Sequence, residues 1–175
     1  MLAPLSLAQD PATLPAMPLL VDKEGIRQGN SQRYEMEQLD GIVLLDPTLQ
    51  LIVGYKDVRP DEFWVRGHMP GYPLMPGVLM CEAAAQLSSY YSYATKQIAG
   101  DFVGFAGMEE VRFRQPVKVG QRLYLVGKAL KVTRRSVIFN VQAFVETTFV
   151  FNANITGIAL FRTETSPTPL VSAEA

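Results

Sequence analysis

Two residue types are nearly missing from this chain of 175 residues, which has one cysteine, Cys81, and one histidine, His68. A single cysteine excludes an internal disulfide framework, and the two residues together cannot make a His/Cys zinc site, so no metal is expected. Neither sign of charge is in excess. Sixteen Lys and Arg stand against 17 Asp and Glu, a net −1 that argues against wholesale nucleic-acid binding. No Lys or Arg precedes Lys23, so the positive start of a secretory signal is lacking. Pro4, Pro11, Pro15 and Pro18 interrupt the Leu/Ala-rich opening and leave no apolar run of about 18 residues for a membrane span. With no targeting segment, the expected compartment is the cytoplasm.

What is present suits one domain with its own core: 48% of the residues are hydrophobic. Residues 1–30 read as an irregular arm, packed on the body through Leu19, Leu20 and Val21. Residues 163–175 read as a frayed tail. Between them, residues 31–162 carry a regular pattern. Gly41 to Asp46 and Leu49 to Tyr55 are β-branched-rich runs parted by Asp46-Pro47-Thr48, a turn composition. Phe102 to Phe105, Glu110 to Gln115, Gln121 to Val132, Ser136 to Glu146 and Phe149 to Phe161 read as further strands of an antiparallel meander. One segment, about Pro76 to Gln97, reads as a helix. Its residues from Val78 to Leu87 are apolar nearly all round, the pattern of a helix buried on every side. The Ser88 to Tyr93 end carries hydroxyls and is expected nearer solvent. The fold class is therefore α+β, an antiparallel sheet wrapped around one long buried helix.

Glu82 is the anomaly in that helix, because an isolated buried carboxylate must be paired or protonated. No Lys or Arg lies one turn away, but Gln86 stands at i+4, placed to bond the carboxyl group. A structural carboxylate satisfied by core polar groups is the bland alternative. His68 lies in Arg66-Gly67-His68-Met69-Pro70-Gly71-Tyr72-Pro73-Leu74-Met75-Pro76-Gly77, a Gly/Pro-rich loop leading into the helix. Rigid loops beside a scaffold element often hold catalytic groups. Gly77 sits at the helix start, where the first N–H groups lack partners and the dipole is positive, so a polarised carbonyl can rest there. Otherwise it is a plain turn glycine. Glu82 lies five residues on, about 7–8 Å along the axis. From Arg112 to Arg135 run eight basic residues, half of the chain's total, with no Asp or Glu among them. They form either solvated strand edges or a positive face, with Arg112, Arg114, Lys118, Arg134 and Arg135 foremost, for an acidic partner.

The stretch Gly67-His68-Met69-Pro70-Gly71-Tyr72-Pro73-Leu74-Met75-Pro76-Gly77-Val78-Leu79-Met80-Cys81-Glu82-Ala83-Ala84-Ala85-Gln86 resembles the signature GHFPGxPxMPGVLxxEAxAQ of the β-hydroxyacyl-acyl-carrier-protein dehydratases. Phe105 to Val117 resembles that family's second block, and the likeness spans about Leu39 to Arg162. The resemblance implies a hot-dog fold over residues 31–162. It implies dehydration of (3R)-hydroxyacyl thioesters to trans-2-enoyl thioesters in fatty acid biosynthesis, without a cofactor. His68 would take the α-proton as a neutral base, and Glu82, protonated, would release the 3-hydroxyl. Gly77 N–H would polarise the carbonyl. Met69, Leu74 and Val78 would line the acyl tunnel, with Gln86 completing the substrate-binding set. The implied partners are an acyl carrier protein and a second copy of the chain, in a homodimer or a trimer of dimers; no nucleic acid is implied.

Three departures stand out: Met69 in place of Phe, Gln38-Leu39-Asp40-Gly41 in place of an N-terminal Leu-Pro-His-Arg-Tyr-Pro segment, and Gly104 where an aromatic often stands. The isomerising branch of the family has Asp at the Glu82 position, which favours simple dehydration here. The alternatives are a thioesterase on the same fold, with Glu82 or Cys81 as its reacting group, and a non-catalytic carrier-binding subunit.

Overall fold

Short alternating runs closed by turn residues make strands, and here the strands join into one sheet. The computed structural model describes residues 8–162. The strands are β1 (Val21–Asp22), β2 (Gly41–Asp46), β3 (Leu51–Asp57), β4 (Phe102–Phe113), β5 (Arg122–Val132), β6 (Ser136–Val145) and β7 (Thr148–Leu160). All neighbours are antiparallel, in the order β1-β2-β3-β5-β6-β7-β4. The α-helices are α1 (Lys23–Gly29) and α2 (Gly77–Thr95), with 3₁₀ turns at Pro11–Ala16 and Tyr34–Met36. α2 packs on one face of the sheet, as expected for a hot-dog fold.

The meander is real for β5-β6-β7, but β4 departs from it. It lies at the far edge beside β7 because residues 58–101, which include α2, carry the chain across the sheet before β4 begins. The two expected strands at 102–105 and 110–115 are one strand. Register shifts at Phe105/Gly107 and Glu109/Arg112 break its alternation, and Glu110 takes a left-handed φ of 53° in the second. Those bulges made one strand look like two.

α2 buries Leu79, Met80, Ala83, Ala84, Leu87, Tyr90 and Tyr91 against Ile52, Leu125, Phe139 and Phe151 of the sheet. Leu87 is fully buried, which stabilises the fold by about 1.5–3 kcal/mol. Gly54 on β3 allows that approach, since a Cβ there would stand 2.8 Å from Leu87 Cδ1. Tyr91 meets Phe139 edge-on at 5.0 Å. Two expectations for this helix fail. Its end from Ser88 to Tyr93 is not near solvent in the way its hydroxyls suggested, Ser89 and Tyr93 excepted. Ser88, Ser92 and Thr95 donate to the carbonyls of Ala84, Ser88 and Tyr91, so Ser88 and Ser92 are buried at no hydrogen-bonding cost. Nor is the helix covered on every side. Val78 (72% exposed), Glu82, Ala85, Ser89 and Tyr93 form a stripe one turn apart that the chain leaves partly open.

The expected irregular arm is structured from residue 8 onward. Asp10 caps a 3₁₀ turn over Pro11–Ala16, Asp22 caps α1, and β1 pairs with β2. Of its expected anchors, Leu19 and Leu20 are exposed while Val21 packs partly buried on the core, and Leu14 and Ile26 are the buried ones. Leu14 is fully buried against Val43, Leu51, Val53, Tyr124, Val126 and Phe144 on the sheet face opposite α2. The prolines stop a long helix but suit a short 3₁₀ turn, whose missing N–H groups cost nothing at its start. The expected tail at 163–175 lies outside the described residues.

α1 is tied to the body through Glu37. Arg27 donates from Nε to Oε1 (2.6 Å) and from Nη2 to Oε2 (2.9 Å), and Lys23 Nζ lies 3.4 Å from Oε2. The Arg27 hydrogen bond, aided by Lys23, holds the Glu37 carboxyl below its ordinary value of 4.5 despite burial. A carboxylate depressed in the folded state adds stability that is present above its unfolded pKa and lost as pH falls through the folded value. Glu37→Gln should therefore cost about 1–2 kcal/mol at neutral pH. In urea denaturation series that difference should close as the pH is lowered through about 4 and below.

Candidate functional site

His68 sits on the loop between β3 and α2, and its backbone is fixed from both ends. His68 N–H and Gly67 N–H donate to Trp64 O (2.7 and 3.0 Å), and Tyr72 N–H donates to Met69 O (2.9 Å). Met69 (φ 64°) and Gly71 (φ 85°) both take left-handed backbone, which makes the turn tight. Farther on, Met75 N–H donates to Val117 O, and Leu74 forms a β-bridge with Lys118. The imidazole Nδ1 lies 2.7 Å from Leu74 O. A carbonyl only accepts, so Nδ1 carries the hydrogen and Nε2 is left as the nitrogen that can take up a proton; the assignment follows from the partner.

The His68 side chain lines an open cavity of about 490 Å³ together with Leu74, Gly77, Val78, Met80 and Phe113. Gly77 opens α2, where the N–H groups of Gly77 and Val78 come before any intrahelical acceptor, while Leu79 N–H already donates to Pro76 O (2.9 Å). Pro76 supplies no side-chain cap, and the first turn holds no acid. The residue is more than a turn glycine. A Cβ on it would stand 2.8 Å from the Phe113 ring, which itself stacks on Phe151 with centroids 5.5 Å apart. Leu74 and Val78 line the same cavity as His68. Met69 is 54% exposed at the tip of the loop, outside that lining.

Glu82 Oε1 accepts from Gln86 Nε2 (2.7 Å) and from Gln32 Nε2 (3.3 Å). Gln86 is buried and fully engaged, since its Nε2 also donates to Met36 O (2.6 Å) and its Oε1 accepts from Gln38 N–H (2.9 Å). It holds the carboxyl group rather than lining an opening toward substrate. Gln32 and the 36–38 backbone were not foreseen, and nothing in the local sequence marks them, because their partner lies some 50 residues away. Glu82 opens onto a separate cavity of about 60 Å³ with Gln32, Ala85, Ser89, Gly104 and Phe105. Within one chain, then, His68 and Glu82 line two different cavities. Val78 lines the first cavity and Glu82 the second, and both belong to the open stripe of α2.

Cys81 is half-buried, and burial pushes its thiol pKa up, which disfavours the nucleophilic thiolate. The basic residues part company. Arg114 lines the His68 cavity, with Nη2 donating to Asn152 Oδ1 (2.8 Å) and its guanidinium 4.7 Å from the Phe149 ring centroid. Lys118 Nζ stands 5.1 Å from the Tyr72 ring centroid. Arg112 is exposed at the β4 bulge. Arg134 and Arg135 lie on the β5–β6 turn, beyond the end of β5. That strand's 11 residues separate them from Lys118 by about 35 Å at about 3.3 Å per residue. The run is thus spread along the sheet rather than gathered at one point, because a strand carries neighbours in sequence apart in space.

A family model, the FabA-like domain, matches residues 30–154. The chain is 34% identical over 140 residues to the 3-hydroxyacyl-[acyl-carrier-protein] dehydratase FabZ of Desulfotalea psychrophila, covering 77% of this chain and 91% of that one. It is 39% identical over 127 residues to the FabZ of Syntrophobacter fumaroxidans, covering 70% and 83%. Among solved structures, the dehydratase heterocomplex ApeI:P of Xenorhabdus doucetiae superposes with a TM-score of 0.67 at 13% identity, over 80% of this chain and 92% of that one. The acetyl-CoA-bound smu.793 of Streptococcus mutans gives 0.56 at 17%, over 74% and 93%. These structures share the fold, while the sequence likeness carries the kinship. On that likeness the chain belongs to the FabA-like family of 3-hydroxyacyl-acyl-carrier-protein dehydratases.

Proposed function

We propose that the chain removes water from (3R)-hydroxyacyl thioesters held on an acyl carrier protein, giving trans-2-enoyl thioesters for fatty acid biosynthesis. The observation that carries this reading is the pairing of a His68 ring whose Nδ1 is engaged with an uncapped helix start at Gly77, both lining one cavity. The thioester carbonyl rests at the first N–H groups of α2, which stabilise the charge that develops as the α-carbon loses its proton. His68 Nε2 takes that proton from C2. The electrons left behind form the C2–C3 double bond, the C3–O bond breaks, and Glu82 protonates the departing hydroxyl to make water.

The Glu82 that completes a site comes from a second copy of the chain. Both cavities border the open stripe of α2, so a copy seated there covers Val78 and Tyr93 and brings its Glu82 toward the first copy's His68. A homodimer is thus the smallest active unit. Gln86 and Gln32 aim the carboxyl group, and Leu74 with Val78 contacts the acyl chain. Arg114 and Lys118, beside the mouth of the His68 cavity, are the docking residues for an acidic carrier. Arg134 and Arg135 take no part in that contact.

His68→Ala and Glu82→Gln should each lower kcat about 10²–10⁴-fold in protein that melts as the wild type does, measured as enoyl formation. Either variant at full rate would remove that residue from the mechanism, and free acid with free thiol as products would replace dehydration by hydrolysis. Gly77→Ala forces the first turn of α2 or the Phe113 ring to move, so kcat should fall about 10–100-fold with the fold retained. Lys118→Glu should raise KM for the carrier-linked substrate about three- to tenfold, an effect that shrinks as salt is added.

A further inference from the structure

Among the described residues, Lys56 is the charged residue that the fold buries most completely; its side chain is 1% exposed. It points from β3 into the α2 side of the sheet, and its Nζ stands 2.8 Å from Oε1 of Glu62, itself 6% exposed. Arg59, on the rim, is the other cation near that carboxylate, at 3.7 Å. Neither Lys56 nor Glu62 lines the cavity of His68 or that of Glu82.

A buried ion pair is a poor source of stability, because two apolar residues of the same size do as well or better. What such a pair supplies is a fixed distance and direction, and here the thing it fixes leads to His68. Glu62 begins a run of turns without strand or helix: Glu62 O accepts from Val65 N–H (3.0 Å), and Trp64 O accepts from His68 N–H (2.7 Å). Trp64 is packed in the core, so the peptide that holds His68 lies two residues from Glu62 and is itself clamped. On the far side, Leu74 O holds the ring and is tied to residues 117–118. His68 is thus hung between two anchors. One is backbone-to-backbone, and the other is the Lys56–Glu62 pair.

We propose that Lys56 and Glu62 are positioning residues. They set where the His68 ring stands relative to Gly77 without touching the substrate, a role that rests on the dehydratase reading for its catalytic consequence. Displacing a catalytic base by about 1 Å can cost about 10²-fold in rate, so a loop anchored at one end only should lose turnover while still binding substrate.

The test is the double variant Lys56→Met with Glu62→Leu, which fills the same volume without charge. Three measurements are made on the full chain: thermal melting, the ¹⁵N-edited NMR spectrum of the imidazole, and kcat and KM on a carrier-linked 3-hydroxyacyl thioester. With one histidine in the sequence, the ring signals need no assignment. The double variant should melt at or above the wild-type temperature. Its ring spectrum should move from a fixed Nδ1–H tautomer toward the averaged pattern, and kcat should fall about 10–100-fold with KM within about twofold. Lys56→Arg, which keeps a cation opposite Glu62, should recover most of kcat and the fixed-tautomer spectrum. A folded double variant with an unchanged ring spectrum and unchanged kcat overturns the proposal. Should the double variant not fold, Glu62→Gln is read in the same way, and an unchanged ring spectrum and kcat in that protein overturns it. If the wild-type chain turns over no 3-hydroxyacyl thioester, the dehydratase reading falls, yet the ring spectra still decide whether the pair positions His68.

Discussion

A single sheet can cover one side of a helix and no more, and the rest of this structure follows from that limit. α2 is apolar nearly all round, so the half facing the sheet forms the core while the stripe Val78, Glu82, Ala85, Ser89 and Tyr93 stays open. Leaving such a face to water is unfavourable at about 25 cal/mol for each Å² of apolar surface, which drives it toward a second apolar face. Both halves of the proposed chemistry border that stripe, His68 with Gly77 and Val78 on one side and Glu82 on the other. In the proposed dimer, the surface left open and the surface that completes the site are the same.

Polar groups in this fold are held in pairs that leave a single group free. Leu74 O takes Nδ1 of His68 and leaves Nε2. Gln86 commits its amide to Met36 O, Gln38 N–H and Glu82, and so turns one carboxyl group in a set direction. A buried amide with all its partners engaged has no alternative arrangement of similar energy. Such groups give geometry more than stability, and the Lys56–Glu62 pair works the same way on the His68 loop.

The N-terminal segment serves the opposite face of the sheet. Leu14 covers an apolar patch made by β2, β3, β5 and β6 that α2 cannot reach, while Ile26 joins the core on the α2 side. One short stretch of chain thus closes both faces at one end of the sheet. Asn140 donates to Asn154, and Asn152, which is buried, and Asn154 both donate to the Glu110 bulge.

How much of this could be read in advance depended on the range over which each feature acts. The strand runs and α2 were legible because periodicity is local, and the Gly67–Gln86 motif placed His68, Gly77 and Glu82 on one loop and helix start. Gln86 was legible too, since i+4 is a neighbour on any helix. The bulges that unite β4 were not, because two residues facing one partner look like a break in the pattern. Nor was the crossing of β4 to the far edge, the hold of Gln32 on Glu82, the reach of Leu14 across the sheet, or the scattering of the basic run along 11 residues of β5. Sequence alone determined which chemical groups this protein has and which of them stand on one helix turn. Tertiary structure decided which groups meet, that one helix face stays open, and that His68 and Glu82 of one chain open onto different cavities, because contacts between distant segments depend on sheet order and not on spacing along the chain.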